Sequence, residues 1–148
     1  MEMSMDKAIG SGSIRLSKKL TRIINLQLKP FGITTEQWSV LRTLSESDEI
    51  SQKELSERAD KDQATLTKIL DLLEKNEFIE RVQNPSDRRS FLIKITIKGT
   101  ELVKDVTPFL EEIFEKIIHK IDAEKLAIFK EVSLTLEKNI ESLLEEHK

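Results

Sequence analysis

The chain has no cysteine and no tyrosine, and only one tryptophan. Without cysteine there can be no disulfide, no thiolate metal site and no peroxide sensing by a thiol. Six Phe and Trp38 supply all the aromatic bulk, so a core must be built mainly from Leu and Ile. No apolar run approaches the ~20 residues needed to span a bilayer. The amino terminus lacks the hydrophobic region of a signal peptide. A cytoplasmic protein with no membrane partner is expected. Enzyme signatures are missing too: there is no Gly-rich phosphate loop, no HExxH and no Cys nucleophile. His119 and His147 are the only histidines. Glu115 and His119 share a helix face, but two ligands do not make a closed zinc site. No enzyme activity, cofactor or metal is expected.

A chain of 148 residues fits one domain, or one domain with an extension. Apolar residues at 38% can form a core, and 34% charged residues suggest a well-solvated, helix-rich surface. The net charge of −3 is unevenly spread. Residues 1–57 are neutral, 58–98 carry +2 and 99–148 carry −5. Within 81–98 there are five basic side chains and one acidic. Nucleic-acid binding depends on such local positive potential rather than on net charge.

The stretch from Asp62 to Gly99 organises the rest. Leu66, Ile69, Leu70 and Leu73 recur at helical spacing behind Asp62, a plausible N-cap. Asn76 sits where a helix end tolerates the left-handed conformation. Two strand-like runs follow, Phe78–Val82 and Phe91–Ile97, separated by the turn-rich polar segment Gln83–Ser90. Helix, strand, basic hairpin tip and strand make the body of a winged helix. Gln63, Thr65, Thr67 and Lys68 are side chains that can reach base edges and phosphates in a major groove. Arg88 and Arg89, on a narrow projection, suit a minor groove. A polar helix face is usually only solvated, and turn arginines are usually surface charge; their order within one unit favours the functional reading.

Upstream, Ile14, Leu16, Leu20, Ile23, Ile24 and Leu28 predict a helix over Ile14–Leu28, ended by Pro30 and Gly32. The residues before it read as frayed at the start and weakened by Gly10 and Gly12. Thr34-Thr35-Glu36-Gln37 is a capping box that opens a second helix, with Trp38, Leu41 and Leu44 on its apolar side. Ser51-Gln52-Lys53-Glu54 is another, opening a short helix with Leu55 and Ala59. That helix and the one from Asp62 form a helix-turn-helix whose first helix crosses the phosphate backbone. Ser51, Gln52 and Lys53 are therefore candidate phosphate contacts, with capping the alternative role for Ser51. Gly99–Ile121 predicts a long helix kinked at Pro108. Asp122 caps a last helix from Ala123 to about Glu145.

The wing residues Asp87-Arg88-Arg89 and the following Leu92-Ile93-Lys94-Ile95-Thr96-Ile97-Lys98-Gly99 resemble the wing pattern of the MarR family of bacterial transcription regulators: Asp-x-Arg, an apolar strand, then Leu-Thr-x-x-Gly. Thr35–Leu41 and Ser51–Leu55 resemble that family's second and third helices. The likeness covers about residues 14–144. Ile95 in place of leucine and Asn76 in place of glycine depart mildly from it. The resemblance implies a mainly α fold with a small β-wing (α+β), a winged helix-turn-helix whose N- and C-terminal helices form a dimerisation region. It implies one domain over 1–148, with 34–99 binding DNA and 14–33 and 100–148 dimerising. It also implies double-stranded DNA as partner and a triangular homodimer.

On the Asp-x-Arg match, Arg89 is assigned to the minor groove and Asp87 to holding its guanidinium in a bidentate fork. Arg88 is left to phosphate or to a structural pair. The terminal helices carry more apolar surface than one chain can cover. Ile14, Leu110, Ile113, Ile117, Leu126, Phe129, Leu136, Ile140 and Leu143 are the expected dimer contacts. Family members often bind small aromatic ligands between the dimer helices and the winged helix. Arg15, Phe31, Trp38 and Leu41 could border such an effector space, or Phe31 and Trp38 are plain core. Two functions follow: a dimeric DNA-binding repressor, and a winged-helix module that binds protein instead.

Overall fold

Leu66, Ile69, Leu70 and Leu73 are all buried, and the surrounding elements close over them. The structure, a computed structural model, describes residues 4–148. The expected fraying at the very start falls on residues 1–3, which lie outside the described residues. Two compact units divide the chain, the first ending at Glu111 and the second spanning Glu112–Lys148.

The first unit begins with a π-helical run, Asp6–Ser11, which passes directly into α1 (Gly12–Leu28). The helical path therefore starts before Ile14 and crosses both glycines. Each costs only about 1 kcal/mol in a helix interior, too little to end one. A short 3₁₀ turn over Lys29–Phe31 ends at Gly32, whose φ of 73° favours a residue without Cβ. α2 (Thr35–Glu46) opens with the predicted capping box: the Gln37 amide donates to Thr34 Oγ1 at 3.2 Å, and the Thr34 amide donates to Gln37 Oε1 at 3.0 Å. Asn25 Oδ1 accepts from both the Thr35 amide and its hydroxyl, fastening α1 to α2.

β1 (Ile50–Ser51), α3 (Gln52–Arg58), α4 (Gln63–Lys75), β2 (Ile79–Asn84) and β3 (Asp87–Ile95) complete the winged helix. The sheet is antiparallel in the order β1-β3-β2, with Ile50 opposite Ile93 and Ile79 opposite Ile95. β1 has no counterpart in the sequence reading, because two residues cannot show an alternating pattern. Val40, Leu41, Leu44, Leu55, Ala59, Leu66, Ile69, Leu70, Leu73, Ile79, Ile93 and Ile95 form one buried cluster.

The left-handed residue after α4 is Glu77 (φ 64°), one later than Asn76. The Phe78 amide donates to the Leu73 carbonyl and the Glu77 amide to the Glu74 carbonyl, both at 2.9 Å. This is the paired 6→1 and 5→2 closure of a Schellman motif. β3 stops at Ile95, two residues before its predicted end, because Thr96 turns the chain. Its hydroxyl donates to the Glu77 carbonyl at 2.7 Å and accepts from the Gly99 amide at 3.0 Å. α5 (Ile97–Ile117) therefore starts at Ile97 and ends four residues short of Ile121, running on through Pro108.

The glycine of this motif has a visible reason. A Cβ at Gly99 would overlap the Phe78 carbonyl oxygen and sit 2.8 Å from Ile95 Cγ1. Both neighbours belong to the strand junction and cannot swing away. Gly99→Ala is expected to destabilise the fold by about 1–3 kcal/mol, the usual cost of overpacking. A urea melt checks this; an unchanged midpoint would mean that α5 can slide off the sheet at no cost.

The second unit holds the end of α5 and α6 (Ala123–Glu146), capped by Asp122, which accepts the Lys125 amide at 2.9 Å. No residue of α6 is buried. Phe129 is 59% exposed, and Ile140 and Leu143 are similar. Ile14 and Ile117 are exposed, Ile113, Leu126 and Leu136 half-buried. Leu110 is a correction to the expected dimer set: only 5% of it is exposed, within its own chain, so it has no surface to offer a partner.

Candidate nucleic-acid interface

Asp62 fixes the start of α4. Its Oδ1 accepts the Thr65 amide at 2.8 Å and its Oδ2 accepts the Thr65 hydroxyl at 2.8 Å. These donors hold the carboxyl below its ordinary range. The cap therefore works fully at neutral pH and is lost only as pH falls below the usual carboxylate values. Thr65 consequently spends its hydroxyl proton inside the turn and has only a lone pair left for a ligand. Thr67 is more committed. Its hydroxyl donates to the Gln63 carbonyl at 2.8 Å and accepts from Gln52 Nε2 at 2.7 Å. The Gln52 bond ties α3 to α4, so two predicted contact residues are a joint between helices. Ser51 is likewise an N-cap, accepting the Glu54 amide at 3.1 Å. Its predicted box is half made: Glu54 pairs with Arg58 at 3.5 Å. Gln63, Lys53 and Lys68 are exposed, and neither lysine has an ion-pair partner among the described residues.

The wing is a longer ribbon than the sequence suggested. Only Pro85 and Ser86 form the turn, and β2 and β3 absorb most of the predicted loop. Arg88 and Arg89 thus sit on β3 just past the tip. The register there is irregular: Gln83 faces Phe91 and Asn84 faces Asp87, so residues 88–90 bulge. Such a bulge re-aims side chains. The predicted fork between Asp87 and Arg89 does not form. Asp87 Oδ1 instead accepts the Arg89 backbone amide at 3.0 Å. A short carboxylate finds the amide two residues on before it finds the end of a long side chain. Asn84 completes the tip: its Oδ1 accepts the Ser86 amide at 2.9 Å and its Nδ2 donates to Ser90 Oγ at 3.2 Å.

The positive charge counted over 81–98 is largely spoken for. Arg81 pairs with Asp71 and Glu74, Lys94 lies 3.6 Å from Glu49, and Lys98 donates to the Asn76 carbonyl and covers the Phe78 ring. Only Arg88 and Arg89 are left, both exposed and without an ion-pair partner among the described residues. Lys53, Gln63, Lys68, Arg88 and Arg89 remain as one helix-plus-wing set of free donors.

Residues 33–91 match the model of the MarR family. The winged helix matches a MarR-family domain. The MarR fold extends well beyond that match. Wild-type MarR from E. coli, in its apo form, is 25% identical and superposes with a TM-score of 0.73 over 86% of this chain and 96% of its own. A variant of E. coli MarR complexed with operator DNA gives 24% identity and a TM-score of 0.81, covering 91% of this chain and 99% of its own. BpsR from Bordetella bronchiseptica, whose DNA binding is regulated by 6-hydroxynicotinic acid, gives 21% and 0.80 over 87% and 98%. The chain thus has the fold of a MarR-type transcription regulator.

The residues expected around an effector differ in their surroundings. Trp38 and Leu41 are buried in the first unit, and Phe31 meets Phe109 edge-on with ring centroids 5.4 Å apart. Arg15 lies exposed on α1. Trp38 is therefore core, as the alternative had it, whereas Phe31 is only half-buried and its partner Phe109 is 52% exposed. An open cleft of about 520 Å³ instead lies beside α1, lined by Arg22, Asn25, Leu26, Lys29, Gly32, Ile33 and Thr34. Sequence inspection passed over two features. One is the Arg81 cluster, signalled only by opposite charges ten and seven residues apart. The other is Asn84, hidden among turn residues.

Proposed function

We propose that the chain is a sequence-specific double-stranded DNA-binding regulator that acts in the cytoplasm as a homodimer and represses the genes next to its site. The observation that carries this is the set of free donors left after internal bonding: Gln63 and Lys68 on α4, Lys53 on α3, and Arg88 and Arg89 on the wing. Arg81, Lys94 and Lys98 are held by partners within the chain, so Arg88 and Arg89 are the wing cations open to a polyanion, beside the α3 and α4 donors. The operator complex of a MarR with the same fold supports DNA as the ligand.

The dimer follows from the apolar faces. Leu126, Phe129, Leu136, Ile140 and Leu143 repeat at three- and four-residue spacing along α6 with nothing buried. Ile14 on α1 and Ile113 and Ile117 on α5 add to them. A second copy covers like with like through a two-fold axis. An effector that regulates DNA binding is supported by the ligand-regulated BpsR fold; the cleft suits an organic anion, with Arg22 and Lys29 among its lining beside the apolar Leu26 and Ile33.

Selection of bound duplexes from a random pool tests the function. The expected product is an inverted repeat whose half-sites are centred about one helical turn apart. Recovery of no preferred sequence would favour the protein-binding alternative.

A further inference from the structure

One side chain joins the recognition helix to the wing. Arg81, on β2, donates from Nη1 to Glu74 Oε1 at 2.8 Å and from Nη2 to Asp71 Oδ1 at 2.9 Å. Its own backbone amide donates to Glu74 Oε2 at 3.2 Å. The two carboxylates lie three residues apart, one above the other on α4. The guanidinium is planar, so two bonds from its two ends to two different acceptors set its orientation as well as its distance. Its side chain is 19% exposed, against 64% and 43% for its partners. It is therefore covered while the acids face out. β2 is paired with β3 from Ile79 to Asn84, so whatever holds Arg81 also holds the strand that carries Arg88 and Arg89.

The geometry points to Arg81 as a positioning residue for DNA recognition. With Asp71 and Glu74 it clamps the wing to α4 at one angle, so that α4 and the wing arginines meet a single duplex in register. This rests on the DNA-binding function proposed above. Arg81 itself touches no DNA. Without the clamp no hydrogen bond or ion pair ties the hairpin to α4 among the described residues; the packing of Ile79, Ile93 and Ile95 on the α4 core holds the strand bases, but the ordering of the wing beyond them moves into the binding step, where it weakens affinity.

The test uses the full-length protein and the duplex selected by the wild type, with Arg81→Met, Arg81→Lys and the uncharged triple variant Arg81→Met, Asp71→Asn, Glu74→Gln. The triple variant leaves no unpaired charge, so it folds even if Arg81→Met does not. Both clamp-free proteins are expected to bind about tenfold more weakly. Their hydroxyl-radical protection should fade at the outer, wing-contacted positions and persist at the centre. Their salt slope should be unchanged, because no phosphate contact is lost. Arg81→Lys keeps one ion pair and should recover part of the affinity. Wild-type affinity in the triple variant would show that Arg81 merely neutralises two acids. A shallower salt slope would show that it contacts phosphate itself. Either result overturns the clamp, while failure of the wild type to select any duplex overturns the DNA function beneath it.

Discussion

A Phe129→Glu, Ile140→Glu variant is expected to sediment as a monomer and to lose at least about a hundredfold in affinity for a duplex with two half-sites. Both side chains are more than half exposed in a single chain, so the substitutions remove little intrachain packing. Burying a side chain such as Phe or Ile contributes about 1.5–3 kcal/mol, and a two-fold axis counts each substitution twice. Replacing that gain with carboxylates in an apolar contact reverses its sign. Two linked winged helices bind a palindrome about 10²–10⁴ times better than one, so the loss of affinity follows from the loss of the partner. Circular dichroism at the concentration of the sedimentation run separates a folded monomer from an unfolded chain. A variant that remains a dimer with unchanged affinity would place the interface elsewhere.

The wing should give the second large effect. Arg88→Ala, Arg89→Ala removes two free cations per protomer, four per dimer. At about 1–3 kcal/mol for a base contact and rather less for a phosphate contact, affinity should fall by two orders of magnitude or more. Asp87 makes this more than a charge count. Its carboxylate accepts the Arg89 amide and holds the bulge that aims both arginines. Removing a negative charge beside DNA should, by Coulomb attraction alone, tighten binding. Asp87→Ala should instead weaken it, because the bulge loses its internal acceptor. Asp87→Asn keeps an acceptor oxygen and should bind at least as well as the wild type. Filter-binding curves for both variants at two salt concentrations decide between these signs. Tighter binding by Asp87→Ala at both would leave Asp87 as a bystander charge.

Much of the fold was legible because its signals are local. The Thr34 and Asp62 caps, the α4 leucines and the α6 stripe depend on neighbours three or four residues away, and the structure has them as expected. The winged helix itself follows from their order. Features that depend on distant partners were not legible. β1 exists only because Ile50 finds Ile93, and Asp48 extends that pairing by accepting the Ile95 amide at 2.9 Å. Leu110 reads as part of a dimer stripe but is covered by its own chain. At the candidate interface, the helix and the hairpin were legible in sequence as elements, yet residue type alone could not say which polar groups were already bonded. Ser51, Thr65 and Thr67 look like DNA contacts and serve as caps and joints. Arg81 looks like part of the basic wing and is its hinge pin.

The salt dependence of binding to the selected duplex tests the central claim most directly. Lys53, Lys68, Arg88 and Arg89 give eight free cations per dimer. With Arg89 in the minor groove, six of them meet phosphate. Log affinity should then fall against log salt with a slope of about −5, or about −7 if all eight do. Between 50 and 200 mM salt the loss should be roughly 10³–10⁴. A slope no steeper than about −2, on a duplex that the protein itself selected, would contradict an interface built from these four side chains.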